Sequence, residues 1–161
     1  MGIFEQNLAN EVGDFVIRRA DGCFAYQLAV VLDDADQGIT EVVRGADLLD
    51  STPRQIFLQE TLGLAPLNYL HLPLLVGSDA QKLSKRNFSN PVDNENPLIG
   101  LRLASALLGH LPPTEISSVE MFWRWATLHW DLRRVPRMRK IHLGHSEPAV
   151  ILKHLQQESI L

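Results

Sequence analysis

The chain has 161 residues, a mass of 18.1 kDa and a net charge of −4, with 45% hydrophobic and 21% charged residues. That is enough to bury a core in one ordinary domain or most of one, and it excludes disordered and fibrous classes. Apolar runs such as Leu28 to Leu32 are too short to span a bilayer, Met1 to Asn10 lacks the basic and apolar regions of a secretory signal, and the single Cys23 allows neither an internal disulfide nor a four-thiolate zinc site, so a cytoplasmic setting is expected.

Charge is unevenly spread. Residues 1–60 carry four basic and eleven acidic side chains, a net −7; residues 61–161 carry eleven and eight, a net +3. An anionic partner should therefore meet the second part.

In chain order, Asp14 to Arg19 alternates, Ala20-Asp21-Gly22 turns, and Cys23 to Tyr26 follows, which predicts a β-hairpin. Leu28, Val31, Leu32 and Ala35 recur at helical spacing, so Tyr26 to Gln37 reads as a helix closed by Gly38. Ile39 to Arg44 reads as a strand. Thr52-Pro53-Arg54-Gln55 predicts a helix start with threonine as cap, proline in the first turn and glutamine closing a capping box; that helix should stop near Gly63. Tyr69 to Val76 reads as a strand again. Strand, crossover helix, strand is the unit of a parallel sheet.

Gly77 to Asn96 is expected to be a loop. Asn96-Pro97 opens the next helix, with Leu101, Ala104, Leu107 and Leu108 on one face and Gly109 ending it. Pro112-Pro113 breaks the chain. Ser117-Ser118-Val119-Glu120 reads as a second capping box, with Phe122, Trp125, Ala126 and His129 on one face beyond it. Ser146 and Pro148 suggest a last helix to about Glu158. The reading is α/β first, then helical.

The densest positive run in the middle of the chain is Lys82-Leu83-Ser84-Lys85-Arg86, in a loop after a strand. Small polar residues let backbone approach a phosphate, and ammonium groups neutralise it. Taken alone, such a run reads first as a solvated lysine loop. Asp33-Asp34 reads as a polar helix face rather than a metal site. Trp123, Trp125 and Trp130 read as packing, and the basic stretch Arg133, Arg134, Arg137, Arg139 and Lys140 reads either as a contact for the phosphates of an anionic partner or as a solvated terminus.

Several motifs in fixed order point further. The pentapeptide resembles the KMSKS loop of class I aminoacyl-tRNA synthetases, here as KLSKR. Upstream, Gly13-Asp14-Phe15-Val16-Ile17-Arg18-Arg19, Asp21-Gly22, Phe24 to Asp34, Gly38-Ile39-Thr40, Val43 to Leu49, Thr52 to Gln55 and His71-Leu72-Pro73 are similar to the glutamyl branch of that class, from about Gly13 to about Arg139. The R-R-A-D-G and F-A-Y-x-L-A wording, and the Trp130-Asp131-Leu132 and Val135-Pro136 ending, resemble the short glutamyl-Q-tRNA(Asp) synthetase family within it. Only 76 residues follow Lys85, too few for an anticodon-binding region beside a helical connection.

The resemblance implies an α/β fold, the second half of a Rossmann-like class I catalytic domain followed by a helical segment. It implies residues 1–90 as catalytic-domain half with the KLSKR loop, and residues 91–161 as helical connection and tail. It implies an aminoacyl-tRNA ligase that uses ATP and Mg²⁺ to adenylate glutamate and passes the glutamate to queuosine of tRNA(Asp). Tyr26 and Arg44 fall on glutamate-recognition positions. Arg44 suits the side-chain carboxylate because a planar guanidinium can pair with it bidentately. Lys82, Ser84 and Lys85 would be the catalytic contacts to the α-phosphate and pyrophosphate, and backbone at Leu74 and Leu75 would meet adenine.

The family's HIGH-type loop and zinc site have no counterpart before Gly13, and Cys23 does not match the zinc pattern. The chain is therefore expected to correspond to a C-terminal half, to be inactive alone, and to need its other half or self-associate, since a half sheet leaves an edge open. His142-Leu143-Gly144-His145 spells the HIGH signature in the wrong order along the chain. The alternatives are a non-catalytic synthetase-like module that binds tRNA or a partner, and a truncated glutamyl-tRNA synthetase.

Overall fold

A computed structural model describes residues 2–77 and 93–143. The chain divides into two compact units, Met1–Leu72 and Pro73–Leu161.

In the first unit the predicted hairpin shrinks to a single antiparallel bridge between Arg18 and Phe24. The turn is the expected one. Gly22 takes φ +86°, its N–H donates to Arg19 O at 3.0 Å, and the Asp21 carboxylate accepts from the Cys23 N–H at 3.1 Å. The flanking segments then part, because Ala25 already serves as N-cap of helix α1, Tyr26–Asp36.

Strand β1, Glu41–Gly45, pairs in parallel with β2, Asn68–Leu72, in a register that sets Val42 beside Tyr69 and Arg44 beside His71. Alternation along a strand then places Val42, Arg44, Tyr69 and His71 on one face of the pair. Between the strands run a 3₁₀ turn, Ala46–Ser51, and helix α2, Thr52–Thr61.

The capping box expected at Thr52 does not form. The 3₁₀ turn feeds straight into α2, so Ser51 is already helical at φ −82°, ψ −24° and no side chain caps the end. Thr52 and Gln55 turn inward instead. They are 7% and 1% exposed, and Gln59 is 3% exposed. With Leu58 they form the buried side of α2, beside Val31, Ala46 and Leu49. Buried amides need partners. Gln55 Nε2 donates to Gln27 Oε1 at 2.9 Å, Gln27 Nε2 to Ser51 Oγ at 3.0 Å, and Gln59 Nε2 to Tyr69 Oη at 2.9 Å.

The single strand expected over Tyr69 to Val76 is two strands in two sheets. Proline has no N–H for a ladder, and Pro73 separates β2 from β3, Leu74–Val76. In the second unit β3 pairs in parallel with a short β4, Lys140–His142. Helix α3, Pro97–Leu107, packs on α4, Val119–His129, around buried Leu103, Ile116, Phe122 and Val135. The buried face of α3 is centred on Leu103 and Ser105, not on Ala104, which is exposed. Ser105 Oγ donates to His110 O at 2.6 Å. Arg102 clamps the following loop through the carbonyls of Pro112, Pro113 and Ile116.

α4 is capped one residue later than the box predicted: Ser118 Oγ accepts from the Met121 N–H at 3.1 Å. Gly109 is required where it stands. Its φ is +84°, and a Cβ there would fall on the Arg134 carbonyl. Buried His110 stacks on Trp130 at 4.6 Å and its Nε2 accepts from the Asp131 N–H at 2.9 Å. The expected last helix, Gly144 and His145 of the HIGH-like tetrapeptide, and most of the Gly77 to Asn96 loop lie outside the described residues.

Candidate functional site

Arg44 is the centre of the first unit's polar cluster. β1 carries it, β2 brings His71 alongside, and the first turn of α2 brings Thr52. Nη2 of Arg44 donates to Thr52 Oγ1 at 2.7 Å and to Leu48 O at 3.4 Å; Nε donates to His71 Nε2 at 3.3 Å. Thr52 Oγ1 lies 2.9 Å from His71 Nε2 and 3.2 Å from Leu48 O. The guanidinium carbon sits 5.1 Å from the centre of the Tyr69 ring, close enough for a cation–π contact. Every one of these partners is neutral. Among the described residues no hydrogen bond reaches Nη1.

The surroundings tune the neighbours. Burial, then the Arg44 charge, holds the imidazole of His71 below its ordinary pKa, so it stays neutral and its Nε2 can accept. Burial pushes the Tyr69 phenol up, opposed by the Gln59 hydrogen bond and by Arg44. A cavity of about 180 Å³ opens beside the cluster, lined in part by Phe4, Leu49, Thr52, Pro53, Tyr69 and His71.

Tyr26 stands in the first turn of α1 and is half exposed. No hydrogen bond joins it to Arg44 among the described residues. Their link is Tyr69, whose phenol feels Arg44 as well as Tyr26 and Asp34. Leu74 and Leu75 lie in β3. Leu74 is committed to the ladder, its N–H donating to Arg139 O at 3.0 Å. Alternation turns the Leu75 N–H and C=O to the opposite edge of the strand, away from β4. Lys82, Ser84 and Lys85 lie outside the described residues.

Thr52, Tyr69 and His71 complete the cluster, and periodicity did not single them out. Thr52 reads as a cap and Tyr69 as an ordinary strand residue; the one available signal was the place of Thr52 and His71 in the motif string around Arg44, and none pointed to Tyr69. Arg54, by contrast, serves the helix start as expected, donating to Asp50 O at 2.6 Å. Among the described residues no group of three or more His, Cys, Asp or Glu side chains could hold a metal ion, and no helix is long and apolar enough to cross a membrane.

Comparison with known proteins agrees with this architecture. A glutamyl-Q tRNA(Asp) synthetase of Ectopseudomonas mendocina (strain ymp) is 56% identical over 144 residues, which is 87% of this chain and 48% of the relative. One from Xanthomonas campestris pv. campestris (strain 8004) is 54% identical over 142 residues, again 87% and 48%. The chain thus spans about half the length of the curated relatives it matches. A glutamate-tRNA synthetase structure from Elizabethkingia anophelis superposes with a TM-score of 0.61 at 26% identity, covering 91% of this chain and 32% of that one. The glutamate tRNA ligase of Elizabethkingia meningosepticum CCUG26117, solved in complex with its amino acid, gives 0.59 at 25% identity, covering 89% and 32%. The family model for the catalytic domain of class I tRNA synthetases (E and Q) matches residues 4–97, more than half of the chain, and the chain belongs to that family.

Proposed function

We propose that this chain carries the glutamate-reading side and the KLSKR loop of an ATP-dependent synthetase that activates glutamate and transfers it to queuosine of tRNA(Asp). The observation that carries the reading is the arrangement at Arg44: a half-buried guanidinium held by neutral partners, with Nη1 unused among the described residues, in a chain over half identical to glutamyl-Q tRNA(Asp) synthetases. A positive group with unspent donors suits an acidic side chain. A glutamine amide offers no negative charge to it, and this is how such a pocket rejects the isostere.

The roles follow from chemistry. Arg44 binds the side-chain carboxylate and Tyr26 closes the same site. Leu75 backbone meets the adenine. Lys82 and Lys85 stabilise the charge that builds on the α-phosphate and leaving pyrophosphate, with Ser84 hydrogen bonding beside them; such a transfer needs positioning and charge neutralisation, not a covalent nucleophile. Magnesium would arrive on the nucleotide's phosphates, which supply part of its coordination. The test joins the chain to the part of the relatives it does not match and follows labelled glutamate. The expected result is glutamate-dependent pyrophosphate exchange and transfer to tRNA(Asp) bearing queuosine. Charging of unmodified tRNA(Glu) instead, or no exchange at all, overturns the reading.

A further inference from the structure

We propose that His71 and Thr52 are positioning residues for the acidic amino acid: by occupying one edge of the Arg44 guanidinium they decide which of its N–H bonds is left for a carboxylate. The proposal rests on the reading of Arg44 given above.

A guanidinium has five N–H donors in a fixed plane. One fork is made by Nε–H with the Nη2–H on the same side, and a second by the remaining Nη2–H with Nη1. In this protein the first fork is spent, on His71 Nε2 at 3.3 Å and Thr52 Oγ1 at 2.7 Å. The second carries only the long 3.4 Å contact to Leu48 O. That carbonyl also lies 3.2 Å from Thr52 Oγ1, so it keeps a donor if Nη2 turns to a ligand. A carboxylate therefore docks end-on, across Nη1 and Nη2, and its direction of approach is set by residues that never touch it. The Tyr69 ring fixes the tilt of the plane from one side.

The arrangement needs His71 Nε2 as an acceptor. With a proton on Nε2, the imidazole would donate to Thr52 Oγ1 at 2.9 Å, the Arg44 Nε–H would lose its acceptor, and two cations would face each other. The groups facing His71 among the described residues are Arg44 from β1, Thr52 from α2 and Tyr69, stacked at 6.3 Å on its own strand. Burial and the Arg44 charge oppose a proton on the ring. Glutamate affinity should thus hold at neutral pH and fall only once the pH drops below the ordinary histidine value of about 6.5, where glutamate itself is still ionised.

The test measures glutamate binding to the whole chain by calorimetry, near pH 7.5 and near pH 5.5, with the Arg44 Nε–H signal followed by NMR. His71→Leu, which has no acceptor, is expected to weaken binding about tenfold and to speed exchange of the Arg44 Nε–H; His71→Gln, which restores an acceptor near the Nε2 position, should recover binding to within about threefold and lose the acid dependence. Thr52→Val should cost about tenfold and Thr52→Ser should restore it, a pair that carries the test if His71→Leu does not fold. Binding and Arg44 exchange unchanged in both His71→Leu and Thr52→Val overturn the proposal. If the wild-type chain binds no glutamate by itself, the same series is run on the chain joined to the part of its relatives that it does not match; no binding there fails the reading of Arg44, and the NMR arm still decides whether His71 holds the guanidinium: unchanged exchange in His71→Leu refutes it, faster exchange supports it.

Discussion

In residues 2–72 the buried side of α2 is Thr52, Gln55 and Gln59 with one leucine, and each polar group is spent on a named partner. In residues 73–143 the helices α3 and α4 meet through Leu103, Ile116 and Phe122, and the buried polar groups, Ser105 and His110, tie loops rather than a site. Buried hydrogen-bonded networks add little net stability, yet leaving one member unpaired is costly. The first unit accepts that risk because its network ends on a guanidinium that can meet a ligand. The second holds shape by apolar packing and tight turns.

The sharpest break between the two is expected at Gly109. Gly109→Ala forces a side chain into φ +84° and onto the Arg134 backbone, neither of which can move cheaply. It should cost about 3 kcal/mol, read as loss of amide protection across residues 97–135. In the first unit the equivalent damage is polar. Gln55→Leu removes the donor to Gln27 and strands a part-buried carbonyl oxygen, for about 1.5 kcal/mol in denaturant unfolding.

Acid separates the units by pH. A lowered folded-state pKa means stability that is complete above the unfolded value and lost as pH falls through the folded one. For His71 the loss begins below its ordinary value of about 6.5, so amide protection around β1 and β2 should fall first there. Asp131 is held down to about 2, chiefly by the Arg133 guanidinium and its N–H, so its contribution to the second unit is complete above pH 3.8 and is lost between there and about 2. Asp131→Asn should remove that low-pH dependence with the smallest change of the set, because the pair is exposed.

These contrasts also explain what the sequence could tell. The helix over Tyr26 to Asp36, the parallel β1–α2–β2 crossover and the helices opened at Pro97 and near Ser118 were legible because spacing and caps announce them. The role of Thr52 was not. The string T-P-x-Q spells a cap, and only the preceding 3₁₀ turn, which makes Ser51 helical, frees the threonine hydroxyl to face Arg44. Pro73 was the available signal for the break between β2 and β3, since it has no N–H for a ladder, and the reading of one strand over Tyr69 to Val76 passed over it. Arg44 and Tyr26 became visible through motif order alone; no periodicity distinguishes a guanidinium that reads a carboxylate from one that pairs on a surface. The environment of Arg44 supports the proposed reading, since its three hydrogen-bond partners among the described residues are uncharged.

The most direct measurement is the affinity ratio of glutamate to glutamine, taken by calorimetry for the wild-type chain joined to the part of its relatives that it does not match, and for Arg44→Ala in the same joined protein. The wild-type chain should prefer glutamate by about a hundredfold, and the variant should bind the two alike while keeping its helical circular dichroism. A variant that still prefers glutamate by the wild-type margin would contradict the assignment of Arg44 as the residue that reads the acidic side chain.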